Sequence, residues 1–324
     1  MIIEFFSKSI LGGGRVSHAA RTERLISMNV VNRGIKNRMI DAVIYIILLI
    51  LALSCLIPVY HIFVLSLSDK YAIAANRVTF WPIGFQTYAY ERIFTDGRTL
   101  RAMMVSVGRT VIGTVLNMII LVLAAYPLSL EREELKGRDF LMWFLYIPAF
   151  FGGGLIPTYL QMKNLHLVNN PLVLIINGGL FTVGNSIILL NFFRNLPKGL
   201  SESAKMDGAT HFDILFRIFI PLSKASLATL TLFNMVGLWN EWFNGMIYLN
   251  DMDWYPLQTL LQQKISNPID PTKMTKEELE LAMKLSDRTL ISAQIFVSTV
   301  PIMLVYPFLQ KYFMTGIVLG SVKE

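Results

Sequence analysis

The chain has 324 residues, of which 54% are hydrophobic and 16% charged, with a formal net charge of +7. Soluble domains run at roughly 45–50% apolar and 25% charged, so this balance argues against a water-soluble enzyme, a disordered regulator or a nucleic-acid binder. Its single cysteine, Cys55, excludes an intrachain disulfide framework.

In chain order, a polar arm over residues 1–38 precedes the first apolar run, Met39–Leu65. That run is too long for the hydrophobic region of a signal peptide and reads as a retained helix. Five more follow: Ala102–Leu130, Phe140–Gln161, Leu172–Phe193, Ala225–Leu249 and Leu290–Leu309. Each reaches the roughly 18 residues that a membrane-spanning helix needs. Turn chemistry punctuates the flanks at Trp81-Pro82, Lys136-Gly137, Asn170-Pro171 and Asn267-Pro268. A barrel would instead show segments of about ten residues with alternating polarity. The pattern predicts an all-α integral membrane protein with a six-helix domain over 39–311 and a C-terminal tail over 312–324.

Charge predicts orientation. Segments 1–38, 131–139, 194–224 and 311–324 together hold 17 of the 29 Lys/Arg, and the intervening loops are close to balanced. Lys/Arg excess marks the cytoplasmic side, so both termini are expected there. Membrane topology thus accounts for the basic charge, and no nucleic-acid partner is needed.

The connection over 196–222 is unlike the short turns at 131–139 and 162–171. Ser201 is expected to cap a short helix with Glu202 in its first turn, where the helix dipole favours an acid. Asp207-Gly208 reads as its stop, because glycine accepts a left-handed backbone. A second amphipathic stretch carries Phe212, Leu215, Phe216 and Phe219 at helical spacing, and Pro221 is expected to open the next helix. Two readings compete: a helix resting on lipid headgroups, and a docking element for a soluble partner. The polarity of the segment, and the close approach that Gly208 permits, speak for docking.

Glu202-Ser203-Ala204-Lys205-Met206-Asp207-Gly208-Ala209, followed by Ile218 and Pro221, resembles the EAA loop of binding-protein-dependent ABC importer permeases. Ser203 stands where that pattern has its first alanine, and Ile220 where it has leucine. The likeness runs from about Arg38 to Lys323 and is to the MalG-like permeases of carbohydrate importers. Phe151-Gly152-Gly153-Gly154, Trp239-Asn240 with Trp242, and Tyr255-Pro256-Leu257-Gln258 are similar to the subgroup serving complex polysaccharides, alginate included.

That resemblance implies the type I ABC importer transmembrane fold, with a core over about 98–310 and a coupling helix-turn-helix at 196–222. It implies half of a translocation channel in a bacterial inner membrane, surrounded by lipid. A second homologous permease, two ATP-hydrolysing subunits and an extracytoplasmic solute-binding protein would complete the assembly. The cargo would be an oligosaccharide or polysaccharide, uronate polymers among them. Glu202, Ala204, Asp207, Gly208, Ala209 and Pro221 would carry the coupling to the ATPase. ATP and Mg would sit on those partners, and no cofactor on this chain. Consistently, no G-x-x-x-x-G-K-[ST] phosphate loop occurs in the sequence.

Polar residues within apolar runs are the candidates for the substrate pathway, since such groups face a bundle interior or cavity. They are Arg109, Asn234, Trp239, Asn240, Glu241, Trp242 and Asn244. The tryptophans fit an interfacial aromatic belt as well as sugar stacking. Arg109 admits three roles: snorkelling to headgroups, pairing with Glu241, and attracting an anionic sugar. The four histidines are scattered and form no metal set, and no catalytic constellation is evident. The alternative function is a secondary transporter, which predicts two repeats with broken helices; no convincing duplication is visible.

Overall fold

A computed structural model of the chain describes residues 35–266 and 286–321, with side chains placed for 39–266 and 286–307. Most of the N-terminal arm and the Asn267-Pro268 turn lie outside these. Among the described residues the regular structure is entirely helical. The first four helices are α1 (Ile35–Ser66), α2 (Lys70–Ala74), α3 (Tyr88–Thr95) and α4 (Gly97–Ser129). Then come α5 (Arg138–Tyr146), which runs on as a 3₁₀ turn (Ile147–Phe150), α6 (Leu155–Asn164), α7 (Val173–Gly179) and α8 (Val183–Arg194). α9 (Lys198–Met206), α10 (His211–Leu222) and α11 (Lys224–Asn240) follow. The last are α12 (Phe243–Tyr248), α13 (Leu257–Ser266) and α14 (Asp287–Ser321).

All six apolar runs fall on these helices, in two forms. Met39–Ser66 of α1, Gly97–Ser129 of α4 and Asp287–Pro307 of α14 are each continuous and long enough to cross a bilayer. The other three candidate spans are bent pairs. They are α5 with α6 (118°), α7 with α8 (57°) and α10 with α11 (79°). The breaks lie where the sequence weakens a helix: Gly152-Gly153-Gly154, Asn177-Gly178 and Ser223. The fifth run therefore differs from expectation, because its helix ends at Asn240 and only resumes at Phe243. α14 also continues past Leu309, the expected end of the sixth span, to Ser321.

α4 is the central helix, packed against α8 and α11, and α11 packs in turn on α14. Its buried stripe holds Ser106, Arg109, Thr110, Gly113, Thr114, Asn117 and Leu121, while Val107, Val111, Val115 and Ile119 point outward. A helix in lipid gains little by burying apolar groups against another helix, so small and polar residues take the interface. Leu238 of α11 illustrates this: a Cβ on Gly113 would stand 2.8 Å from its Cδ1, and one on Gly179 3.2 Å from its Cδ2. Asn117 Nδ2 donates to the Gly179 carbonyl (2.7 Å) and closes the same junction. An apolar cluster at the other end of α4 joins Tyr126, Phe193, Phe219 and Leu230. There the Phe219 ring meets Tyr126 and Phe193 edge-on at 5.1 and 5.3 Å.

Candidate functional site

The gap between α11 and α12 is closed by side chains from distant parts of the chain. A helix end leaves backbone carbonyls without partners, and within a bilayer no water replaces them. Arg109, three turns into α4, supplies them: its Nη2 donates to the carbonyls of Leu238 and Glu241. Its Nη1 donates to Glu241 Oε2 at 3.0 Å, and the guanidinium side chain is only 2% exposed. Glu241 Oε1 accepts the Asn244 amide (2.7 Å) at the start of α12. Thr259 of α13 donates its hydroxyl to the Trp242 carbonyl (2.8 Å). Of the three roles open to Arg109, the structure shows the pair with Glu241.

A second break faces this one. Within α7, Asn177 (ψ 85°) and Gly178 (φ 110°) leave helical geometry, the second in a region where glycine alone is unstrained. Asn177 Nδ2 donates to Asn244 Oδ1 (3.1 Å), and Asn244 Nδ2 donates back to the Asn177 carbonyl (2.8 Å). The two interrupted helices are thereby stitched together by reciprocal amides.

Between them lies a cavity of about 220 Å³, lined on its polar side by Asn177, Thr182, Asn185, Asn234, Glu241 and Asn244. Asn234 is 7% exposed, and its Oδ1 has no hydrogen-bond partner. Three of the candidate pathway residues, Asn234, Glu241 and Asn244, thus share one cavity, with Arg109 behind Glu241. The others do not join it. Trp239 is buried and donates Nε1 to the Ser298 carbonyl of α14 (2.9 Å). Asn240 and Trp242 are exposed, the latter edge-on to Phe243 at 5.7 Å. Asn177, Thr182 and Asn185 were not among the sequence candidates. Their signal was present, since an Asn-Gly-Gly inside an apolar run marks a broken span.

A larger cavity of about 380 Å³ is lined mainly by apolar groups, together with Arg101, Arg109 and Trp254. Arg101 is engaged by Asp253 (2.7 Å) and lies over the Trp254 ring (5.8 Å).

The backbone of the 196–222 loop is closed differently, by local hydrogen bonds. α9 starts at Lys198 behind Pro197, so Ser201 lies inside the helix and donates to the Lys198 carbonyl (2.8 Å) instead of capping it. Proline suits the edge of a helix and not its interior, and this moves the cap four residues upstream, from Ser201 to Pro197. At the other end Asp207 is the cap residue and Gly208 (φ 79°) turns left-handed. The Ala209 amide donates to the Ala204 carbonyl (2.9 Å), and Gly208 to Lys205 (3.0 Å). This is the Schellman pairing, and Ala204 and Ala209 both pack on the apolar cluster at that end of α4.

Thr210 and Asp213 then form a reciprocal capping box at the start of α10. Pro221 does not open the next helix: it sits in the last turn of α10, after a π-type stretch (Leu215–Phe219), and α11 begins at Lys224. Pro221 has no N–H to donate, and the helix widens to π spacing just before it. Glu202, Met206 and Asp207 are exposed, as is Phe212, while Leu215 and Phe219 are buried. Lys205 pairs with Glu134 (2.5 Å), and Lys198 with Glu131, on the turn after α4. The Lys198 contact, with its hydrogen bond, holds the Glu131 carboxyl below its ordinary range. Arg138 and Arg194 donate to the Leu130 and Leu128 carbonyls (2.8 and 3.0 Å), capping α4.

The sequence profile of the binding-protein-dependent transport system inner membrane component family matches residues 99–319. A polygalacturonan/rhamnogalacturonan transport system permease protein of Bacillus subtilis is 39% identical over 290 residues, covering 89% of this chain and 99% of the relative. The LplC protein of the same organism is 37% identical over 268 residues, 83% of this chain and 89% of the relative. Among solved structures, a chain of a bacterial ABC transporter involved in import of the acidic polysaccharide alginate superposes with a TM-score of 0.78. It is 31% identical, over 86% of this chain and 98% of that one.

Proposed function

The chain belongs to the family of binding-protein-dependent transport system inner membrane components, and on that premise we propose that it forms one half of the channel of an ATP-driven saccharide importer. A solute-binding protein delivers the cargo from outside, a second permease completes the channel, and two ATPase subunits drive it. The cargo class is an oligosaccharide from an acidic polysaccharide, in keeping with the pectin-fragment and alginate systems to which the chain is similar. Both termini and the α9–α10 loop face the cytoplasm of a bacterial inner membrane, in keeping with the Lys/Arg surplus of those segments. ATP and Mg belong to the ATPase partners.

The observation that carries the coupling role is the α9–α10 turn. Its backbone is satisfied locally, so Glu202, Met206, Asp207 and Phe212 are presented outward on a fixed scaffold. Two acids and two apolar side chains suit a groove with a basic group. Ala204, Gly208 and Ala209 hold the turn, and Pro221 ends the helix that carries it. The substrate-pathway role falls to Asn234, Glu241 and Asn244 at the paired breaks. Arg109 and Trp239 support that wall, and Asn240 and Trp242 lie at the same end of α11.

Affinity purification of the tagged chain from its native membrane tests the assembly. An ATPase and a second permease should co-elute, and Glu202→Ala should uncouple hydrolysis from saccharide uptake. Recovery of the chain alone, with uptake independent of ATP, would refute the reading.

A further inference from the structure

The chain between the end of α1 and the start of α3 is poor in charge and rich in exposed rings. Over residues 67–88 the charged residues are Asp69, Lys70 and Arg77. Tyr71, Trp81 and Phe85 are 73, 76 and 68% exposed, and Phe80, Ile83 and Tyr88 are exposed with them. Apolar surface concentrated in this way marks a contact with another protein or with a membrane.

The backbone holds these rings in place. The Asp69 amide donates to the Ile83 carbonyl and the Gln86 amide to that of Leu67, both at 2.9 Å. Gln86 Nε2 donates to the Ser68 carbonyl (2.7 Å). Gly84 (φ 65°) tightens the clip, because a Cβ there would stand 2.7 Å from Asp69 Cβ. Val64, Ala72, Ile73 and Val78 form a small buried core of their own. The apolar side chains of the segment thus divide into a set packed inward and a set of rings displayed outward.

Two contacts fix its depth. Arg288, in the first turn of α14, donates to Asn76 Oδ1 (3.2 Å), which sets the segment against the end of a membrane span. His61 donates Nδ1–H to the Thr79 carbonyl (3.1 Å). His61 lies five residues, about 7–8 Å, short of Ser66, where the apolar span of α1 ends. The chain therefore returns alongside the last turns of that span just before Phe80-Trp81. The interfacial layer of a bilayer is about 5–8 Å thick on each side, and Trp and Tyr collect there.

We propose that residues 67–88 are an interfacial anchor whose partner is the lipid headgroup layer. Tyr71, Trp81 and Phe85 insert among the headgroups, and the exposed Arg77 meets lipid phosphates. In the orientation proposed above this is the extracytoplasmic leaflet. The anchor requires only that the chain spans a membrane, and it is independent of what the importer carries.

The test uses the assembled importer in nanodiscs and follows the part of its tryptophan fluorescence that is lost in Trp81→Phe. Lipids brominated at carbons 6 and 7 of the acyl chain should quench that part about twofold or more, and aqueous iodide by less than about a tenth. Phe85→Cys in a Cys55→Ser background gives a second reading. A nitroxide attached there should collide with oxygen in preference to a water-soluble nickel chelate. Quenching of Trp81 by iodide and not by bromolipid, with the nickel chelate preferred at position 85, would overturn the anchor. So would a Trp81 that neither quencher reaches, because another subunit then covers it. Iodide quenching that disappears on addition of the solute-binding protein would also overturn it, and would assign the surface to that protein. None of these outcomes touches saccharide uptake, so the permease reading stands or falls separately.

Discussion

The α11–α12 break and the α9–α10 turn are both interruptions in a helical chain, and they are completed in opposite ways. At the first, the orphaned backbone groups are taken by Arg109 and Thr259, 132 and 17 residues distant in sequence. At the second, every closing bond comes from within a few residues: Ala209 to Ala204, Gly208 to Lys205, and the Thr210–Asp213 box. The difference follows from solvent. A break inside a membrane bundle has no water to fall back on, so the bundle itself must close it. A turn at the surface needs only local caps, and its side chains remain displayed. The first region is built to stay put around a cavity, the second to meet another molecule.

Breaking the interior clasp should have the largest effect. Arg109→Leu strips the cation from Glu241 and the partners from two carbonyls, a loss of about 3–5 kcal/mol for a buried pair broken on one side. Thermal unfolding of the purified protein should show a clear drop, and Arg109→Leu with Glu241→Leu should recover part of it. If Arg109→Leu unfolds like wild type, the clasp is not what holds the break.

Gly245→Ala should follow. A Cβ there would run into the Thr259 side chain, whose hydroxyl closes the Trp242 carbonyl. Overpacking of this kind costs about 1–3 kcal/mol, read by the same unfolding assay.

In the outer turn, Gly208→Val should cost about 1–2 kcal/mol, because its φ of 79° is left-handed. No atom lies within 4 Å of a Cβ placed there, so the penalty is one of backbone alone, and Gly208→Asn should be milder. The contrast between these two variants in ATPase co-purification separates a bent turn from a blocked surface.

The smallest effect belongs to the exposed pairs. Glu134→Lys should destabilise by about 0–1 kcal/mol, yet loosen α9 from the turn after α4. The exchange of charges with Lys205→Glu should restore it, as measured by hydrogen exchange over 198–206.

Much of this was legible in the linear sequence. The six apolar runs located the membrane helices, because hydrophobicity over a bilayer's thickness is a local property. The turn at Gly208 was legible too, since a glycine after a short polar helix is a local stop. Errors arose where two local signals competed. Ser201 is a good capping residue, but Pro197 lies nearer the helix edge and starts it first. Pro221 reads as a helix opener, yet it falls in the last turn of α10, after a π turn.

Other features have no local signature. Nothing near Asn240 announces that α11 must stop, because the bonds that make stopping tolerable come from Arg109 and Thr259. Asn177, Thr182 and Asn185 look like polar flaws in an apolar run until α7 and α8 face α11. The sequence by itself determined how many apolar segments there are, where they lie and how the outer turn closes, since these depend on neighbours along the chain. Only the tertiary structure decided that Arg109 serves Glu241, that two broken helices meet, and that Asn234 is left facing a cavity. Those outcomes depend on which polar groups meet across helices, where no water can substitute for a missing partner.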